Sequence, residues 1–170
     1  TDRGVVNLNS NASRPEDVRR LLDAGLGSLR VSTNSARPDV YAAYYRPKGY
    51  TLDDVRAASQ VAKDGGAYVM LNYFIFPGVT DTQVELDALS AWITAVDIDM
   101  VQLRNLNMDP EVYLAAVERV GGRGEPMGLI PWLREVRRRH PGLRFGYFNP
   151  PRGTFAGAPD ALVAPAATPA

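Results

Sequence analysis

The chain has 170 residues, 45% hydrophobic and 22% charged, with 19 basic and 19 acidic side chains. That composition suits one globular domain with a sizeable core, and a formal charge of zero gives no global field for a nucleic acid or a membrane surface. No run approaches the roughly 18 apolar residues of a membrane span. With no cysteine and a single histidine, His140, a disulfide framework, a thiol nucleophile and a thiolate metal site are excluded within these residues, and a histidine-based metal site or triad is equally poor.

Thr1 stands directly before an apparent strand, with no Met, leader or capping element ahead of Val5. A fragment of a cytoplasmic protein is therefore expected. Val5 to Asn11, VVNLNSN, reads as a strand, with Asn7, Asn9 and Asn11 alternating with small or apolar residues. Ser13, Pro15 and Glu16 form a helix start with Ser13 as the capping residue, and the helix runs to Gly25. Ser28 to Asn34, SLRVSTN, is a second strand. A short helix is expected over 38–45 and a longer one over 52–63, the latter closed by Gly65 and Gly66.

Residues 67–85, AYVMLNYFIFPGVTDTQVE, organise the rest. Tyr68 to Phe76 is apolar and aromatic with one polar break at Asn72, and it ends at a Pro-Gly turn. That describes a strand covered on both faces, as in a parallel sheet. Thr80 or Asp81 is expected to cap the next helix, which runs to about Val96. Asp99 to Arg104 is a fourth strand, Asp109-Pro110 starts a helix, 129–139 is another, and Leu143 to Phe148 is a last strand. Strands alternating with helices at this spacing predict an α/β fold of parallel (β/α) repeats, part of an incomplete TIM-type barrel, since five strands are fewer than a closed barrel has. The domain is expected over 1–152, with a disordered Ala/Pro-rich tail over 153–170.

Polar residues gather at the C-terminal end of each strand: Asn9 and Asn11, then Ser32, Asn34 and Ser35, then Asn72, then Gln102, Arg104, Asn105 and Asn107. Parallel α/β folds bind ligands at that edge. Amides and hydroxyls suit a ribose or an adenine, and Arg30 and Arg104 suit a carboxylate or phosphate. Asp81, Glu85, Asp99 and Asp109 lie near strand or helix starts and read as capping groups. No catalytic acid/base pair stands out. The Tyr41–Tyr50 segment reads as a lid or as a packed loop. The loop Gly121-Gly122-Arg123-Gly124 lacks the ending of a P-loop, and His140 reads as the solvated end of a basic helix.

At these strand ends the sequence resembles the later part of the radical SAM core, over roughly Val5 to Pro110. VVNLNSN resembles the family's third strand, with Asn9 facing the cavity. SLRVSTNS resembles the fourth, which implies that Arg30, Ser32 and Asn34 contact the ribose and methionyl part of S-adenosylmethionine. LNYFIFPGVTDTQVE resembles the fifth, implying Asn72, Ile75 and Gly78 near the adenine, and VQLRNLN the sixth, implying Gln102, Arg104 and Asn105. The family's acidic residue after the glycine turn lies nearer than Glu85, closer to Gln83, which weakens a role for Glu85. The CxxxCxxC loop that binds the [4Fe–4S] cluster is absent. The resemblance implies S-adenosylmethionine and a [4Fe–4S] cluster as cofactors, with cluster ligands outside this chain, and a 5′-deoxyadenosyl radical generated by the complete enzyme for modification of a substrate that the sequence does not name.

Two other functions compete. A redox-free (β/α) enzyme of aldolase type needs a buried lysine or a metal, yet the chain has only Lys48 and Lys63. A non-catalytic binding or assembly module would pair its open sheet edge with a partner.

Overall fold

The computed structural model describes residues 5–105 and 109–146. The expectations for Asn107, for the end of the last strand and for the Ala/Pro tail fall outside them. Five strands, β1 (Val6–Ser10), β2 (Leu26–Thr33), β3 (Tyr68–Phe74), β4 (Met100–Arg104) and β5 (Arg144–Phe145), pair in parallel in chain order. Between them lie α1 (Pro15–Asp23), α2 (Pro38–Tyr45), α3 (Leu52–Asp64), α4 (Gln83–Val96), α5 (Pro110–Glu118) and α6 (Leu129–Arg139). Each strand lies beside the next in sequence. Successive right-handed crossovers that always advance in one direction place their helices on one face of the sheet, which is the wall of a (β/α) barrel and not a doubly wound sheet.

The side chains obey that topology. Leu29, Val31, Val69, Leu71, Tyr73 and Val101 share one strand face, and they form a single core with Val18 of α1, Val55 and Ala58 of α3, Leu86, Leu89 and Trp92 of α4, and Trp132 and Val136 of α6. Tyr73 stacks on Trp132 at 6.3 Å between ring centroids. The two remaining helices, α2 and α5, pack against each other at the C-terminal ends of the strands, where Val40, Phe74, Val79, Tyr113 and Val117 form a second cluster.

Several local expectations shift. The first helix begins with Pro15, so its capping position falls on Arg14, which makes no side-chain cap; Ser13 lies one residue too early. The α4 cap is Thr82, whose hydroxyl accepts from the Glu85 N–H, and neither Thr80 nor Asp81. Asp81 instead accepts the Gly78 N–H at 2.6 Å within the turn. Asp109 does cap α5, accepting from the Glu111 and Val112 N–H groups. His140 is half-buried, not solvated, and its Nε2 lies buried without a partner among the described residues. No described helix is long and apolar enough to cross a membrane.

Candidate functional site

The face of the sheet turned away from the helix-covered core is polar, and strand register shows why. Side chains alternate along a strand, and parallel partners share a face. Register pairs Asn9 with Arg30, Arg30 with Met70, Ser32 with Asn72, Asn72 with Gln102, and Phe74 with Arg104. Asn9, Arg30, Ser32, Asn72, Gln102 and Arg104 therefore stand on one surface, Asn9 and Arg30 level with Met70 and the others further towards the C-terminal strand ends. Tyr68, Met70 and Met100 form an apolar layer on the same face nearer the strand beginnings. A chain of hydrogen bonds crosses three strands: Asn72 Nδ2 donates to Ser32 Oγ at 3.4 Å, and Ser32 Oγ donates to Asn9 Oδ1 at 3.2 Å. Asn72 Oδ1 is buried and has no partner among the described residues. Gln102 is buried, while Asn9 and Arg104 are exposed.

Two guanidinium groups flank this row. Burial holds Arg30 below its usual value, and the charge of Arg104 pushes it the same way. Two cations close enough to feel each other on one face of the sheet favour an anionic group between them.

The other predicted residues are placed differently. Asn34 is buried beneath α2 and α5, where its Nδ2 donates to Val40 O at 3.2 Å and to the Tyr113 hydroxyl at 3.5 Å. Its Oδ1 makes no bond among the described residues. Ile75 lies just past β3, half-buried, with its N–H on Arg104 O. Gly78 has φ +79°, a left-handed turn in which any side chain is strained, and an added Cβ would meet Arg123 only at ordinary contact distance. Asn105 is exposed at the end of β4. The structure thus gathers six of the ten candidates onto one face, buries Asn34 apart from them beneath α2 and α5, and leaves Ile75, Gly78 and Asn105 past the strand ends.

The tyrosine segment is packed against the fold, residues 41–45 as part of helix α2 and the rest as a loop. Tyr41 is fully buried, Tyr44 meets Tyr113 edge-on at 5.2 Å, and Asn11 donates to the Tyr50 hydroxyl. The glycine loop is structural as well: Gly124 N–H bonds Gly78 O, and Arg37 Nη1 donates to Gly122 O.

One group has a place that the sequence did not reveal. Glu85 is fully buried, where a capping role had been expected. Its carboxylate accepts from Ser35 Oγ and the Ala36 N–H, each at 2.6 Å, and from the Tyr73 hydroxyl. Burial raises its pKa despite these bonds and the charge of Arg37. A carboxylate within the first turn of a helix reads as a dipole or capping group, and only the path of the β2–α2 turn over α4 shows otherwise.

A cavity of about 580 Å³ opens at the opposite end of the sheet, lined by Tyr68, Asp97, Asp99, His140 and Arg144 among others. Asp97 and Asp99 are already engaged there with Lys63, at 3.1 and 2.7 Å. Burial draws the Lys63 pKa down, but the hydrogen bonds to Asp99 and Asp97 outweigh it and the net shift is upward. Such an ammonium is a poor Schiff-base amine, and Lys48 is exposed. Among the described residues, no group of His, Asp and Glu converges as a metal-ligand set.

No protein-family model matches the chain, and no curated protein does. Solved structures do. The chain is similar to a radical SAM methyltransferase from Sphaerobacter thermophilus, with TM-score 0.54 and 16% identity over 85% of this chain and 40% of that one. It is similar to Elp3 of the archaeon Methanocaldococcus infernus with its N-terminus deleted, with TM-score 0.57 and 16% identity over 86% and 36%. It is also similar to SuiB of Streptococcus suis, a structure bound to S-adenosylmethionine, with TM-score 0.55 and 12% identity over 89% and 34%. The chain thus spans between 34% and 40% of the length of these structures. At such identities the likeness is one of fold: five parallel strands and their helices are arranged as in part of each of these structures.

Proposed function

We propose that this chain supplies part of the S-adenosylmethionine-binding wall of a radical SAM enzyme, with the polar strand row as the binding surface. One observation carries the reading. Ser32, Asn72 and Gln102 stand side by side on the polar face, and the Asn72 amide retains an unused buried oxygen. The donor and acceptor set fits the proposed ligand: an amide oxygen can accept from a ribose hydroxyl or the adenine amine, and Arg30 with Arg104 can hold the methionyl carboxylate. The likeness in fold to a structure bound to S-adenosylmethionine supports the choice of ligand.

The chain's own contribution is binding and orientation. Ser32 and Asn9 fix the Asn72 amide by hydrogen bonds, and the apolar layer of Met70 and Met100 closes the sheet below the row. An iron–sulfur cluster, when bound, supplies the electron for reductive cleavage of the sulfonium. With no cysteine in 170 residues, its thiolate ligands must come from outside this chain.

The test is S-adenosylmethionine affinity by equilibrium dialysis in the protein expressed from its whole gene. Ser32→Ala and Asn72→Ala should each weaken binding by roughly tenfold, the scale of one lost hydrogen bond to a ligand, while the melting temperature stays nearly unchanged. Affinity equal to wild type in both variants removes the site assignment.

A further inference from the structure

Glu85 touches none of the polar row, yet it ties together the backbone that presents it. It projects from the first turn of α4 into a fully buried position, and its three donors come from two other elements: Ser35 and Ala36 from the β2–α2 turn, and Tyr73 from β3. The same turn is braced from within and from α3. Thr33 Oγ1 donates to Ser35 O, Ser35 Oγ accepts the Arg37 N–H, and Arg56 Nη2 donates to Ala36 O. Ser32 is the penultimate residue of β2, one residue before this turn, and Asn34 opens the turn. The strand end that carries Ser32 is therefore fixed at one side by its ladder to Asn72 and at the other by a buried carboxylate.

We propose that Glu85 is a positioning residue: its bonds to Ser35, Ala36 and Tyr73 lock the β2–α2 turn and so hold Ser32, at the strand end leading into it, in place for ligand. The ligand half of this statement rests on the S-adenosylmethionine reading above; the turn half does not. Removing the carboxylate leaves three buried donors without an acceptor, and a turn that can re-form those bonds to water only by opening. An amide in the same place keeps the bonds. Its oxygen accepts from Ala36 and Tyr73, and its NH₂ group donates to Ser35 Oγ.

The experiment is amide hydrogen exchange of the 32–37 segment, read beside S-adenosylmethionine affinity, in wild type, Glu85→Ala, Glu85→Gln and Val136→Ala. Val136 is a fully buried residue of α6 and serves as the control for general loss of stability. In Glu85→Ala, exchange over 33–37 should accelerate at least about tenfold beyond the change in β4, and affinity should fall by a similar factor. Glu85→Gln should restore both, and Val136→Ala should speed exchange evenly while leaving affinity alone. If Glu85→Ala gives the same even profile as Val136→Ala, the positioning role is overturned. If wild type binds no S-adenosylmethionine while the 33–37 response appears as expected, the ligand reading fails and the turn lock stands.

Discussion

Asp99 and Val69 meet twice. The Val69 N–H donates to Asp99 Oδ2 at 2.7 Å, and the Asp99 N–H donates to Val69 O at 3.0 Å. The pair closes the beginning of the β3–β4 ladder, one residue before β4 proper, and Lys63 of α3 adds a charged donor to the other carboxylate oxygen. The aspartate expected to serve as a capping group is thus a clamp between two strands and a helix. Asp99→Ala leaves the Val69 N–H without its acceptor and the Lys63 ammonium with Asp97 alone, and should cost about 1–3 kcal/mol in chemical denaturation. Asp99→Asn, which keeps an acceptor for Val69, should cost less. Equal losses in the two would deny the backbone bond its part.

The raised pKa of Glu85 gives a pH dependence of definite sign. A native state that holds a proton more tightly than the unfolded chain is stabilised below the ordinary carboxyl value of 4.5, and that stabilisation is lost as pH rises through the native value. Glu85→Gln cannot ionise. Its denaturation midpoint should therefore gain on wild type as pH climbs from about 4 to about 8. Parallel profiles would contradict the burial-driven shift.

Gly122 sits where α5 meets α2. An added Cβ would lie 2.5 Å from Val117 Cγ1, 2.9 Å from Val40 Cγ2 and 3.0 Å from Val117 O. Both valines are fully buried, so neither can swing away freely. Gly122→Ala should destabilise the fold by about 1–3 kcal/mol, seen as a lower melting temperature. An unchanged transition would mean that the α2–α5 pair gives way more readily than its packing indicates.

His140 provides a second pH signature, opposite in sign. Burial, with help from the charge of Arg139, holds it below its usual 6.5. Neutral in the fold, it favours folding above that value, and the advantage is lost as pH falls through the native pKa. The melting temperature of wild type should drop more than that of His140→Gln between about pH 7.5 and about pH 5.5. Identical drops would place the titration elsewhere.

The strands were legible because a buried parallel strand has few alternatives. Tyr68 to Phe74 carries too many apolar side chains for an exposed surface, and it ends where Pro77 and Gly78 force a turn. The polar row was legible for a related reason, since Asn72 interrupts that run at a position where an amide needs partners. Glu85 was not legible: its partners lie 12, 49 and 50 residues away, and no local pattern records that the β2–α2 turn crosses above the start of α4. Thr82 was obscured by its neighbours. Thr80, Asp81 and Thr82 are all acceptable caps, and the choice follows from Asp81 being drawn to the Gly78 N–H.

The two faces of the sheet differ in what they ask of a substitution. Leu29, Val31, Val69 and Leu71 are locked among helices, and a change there is felt throughout the core. Ser32, Asn72 and Arg104 stand on the other face, outside that core, and their replacement removes few contacts that folding requires. A lineage carrying this architecture can therefore revise the chemistry of the polar face residue by residue without first repairing the scaffold. Relatives that share the architecture and little else in sequence are what such a separation would produce.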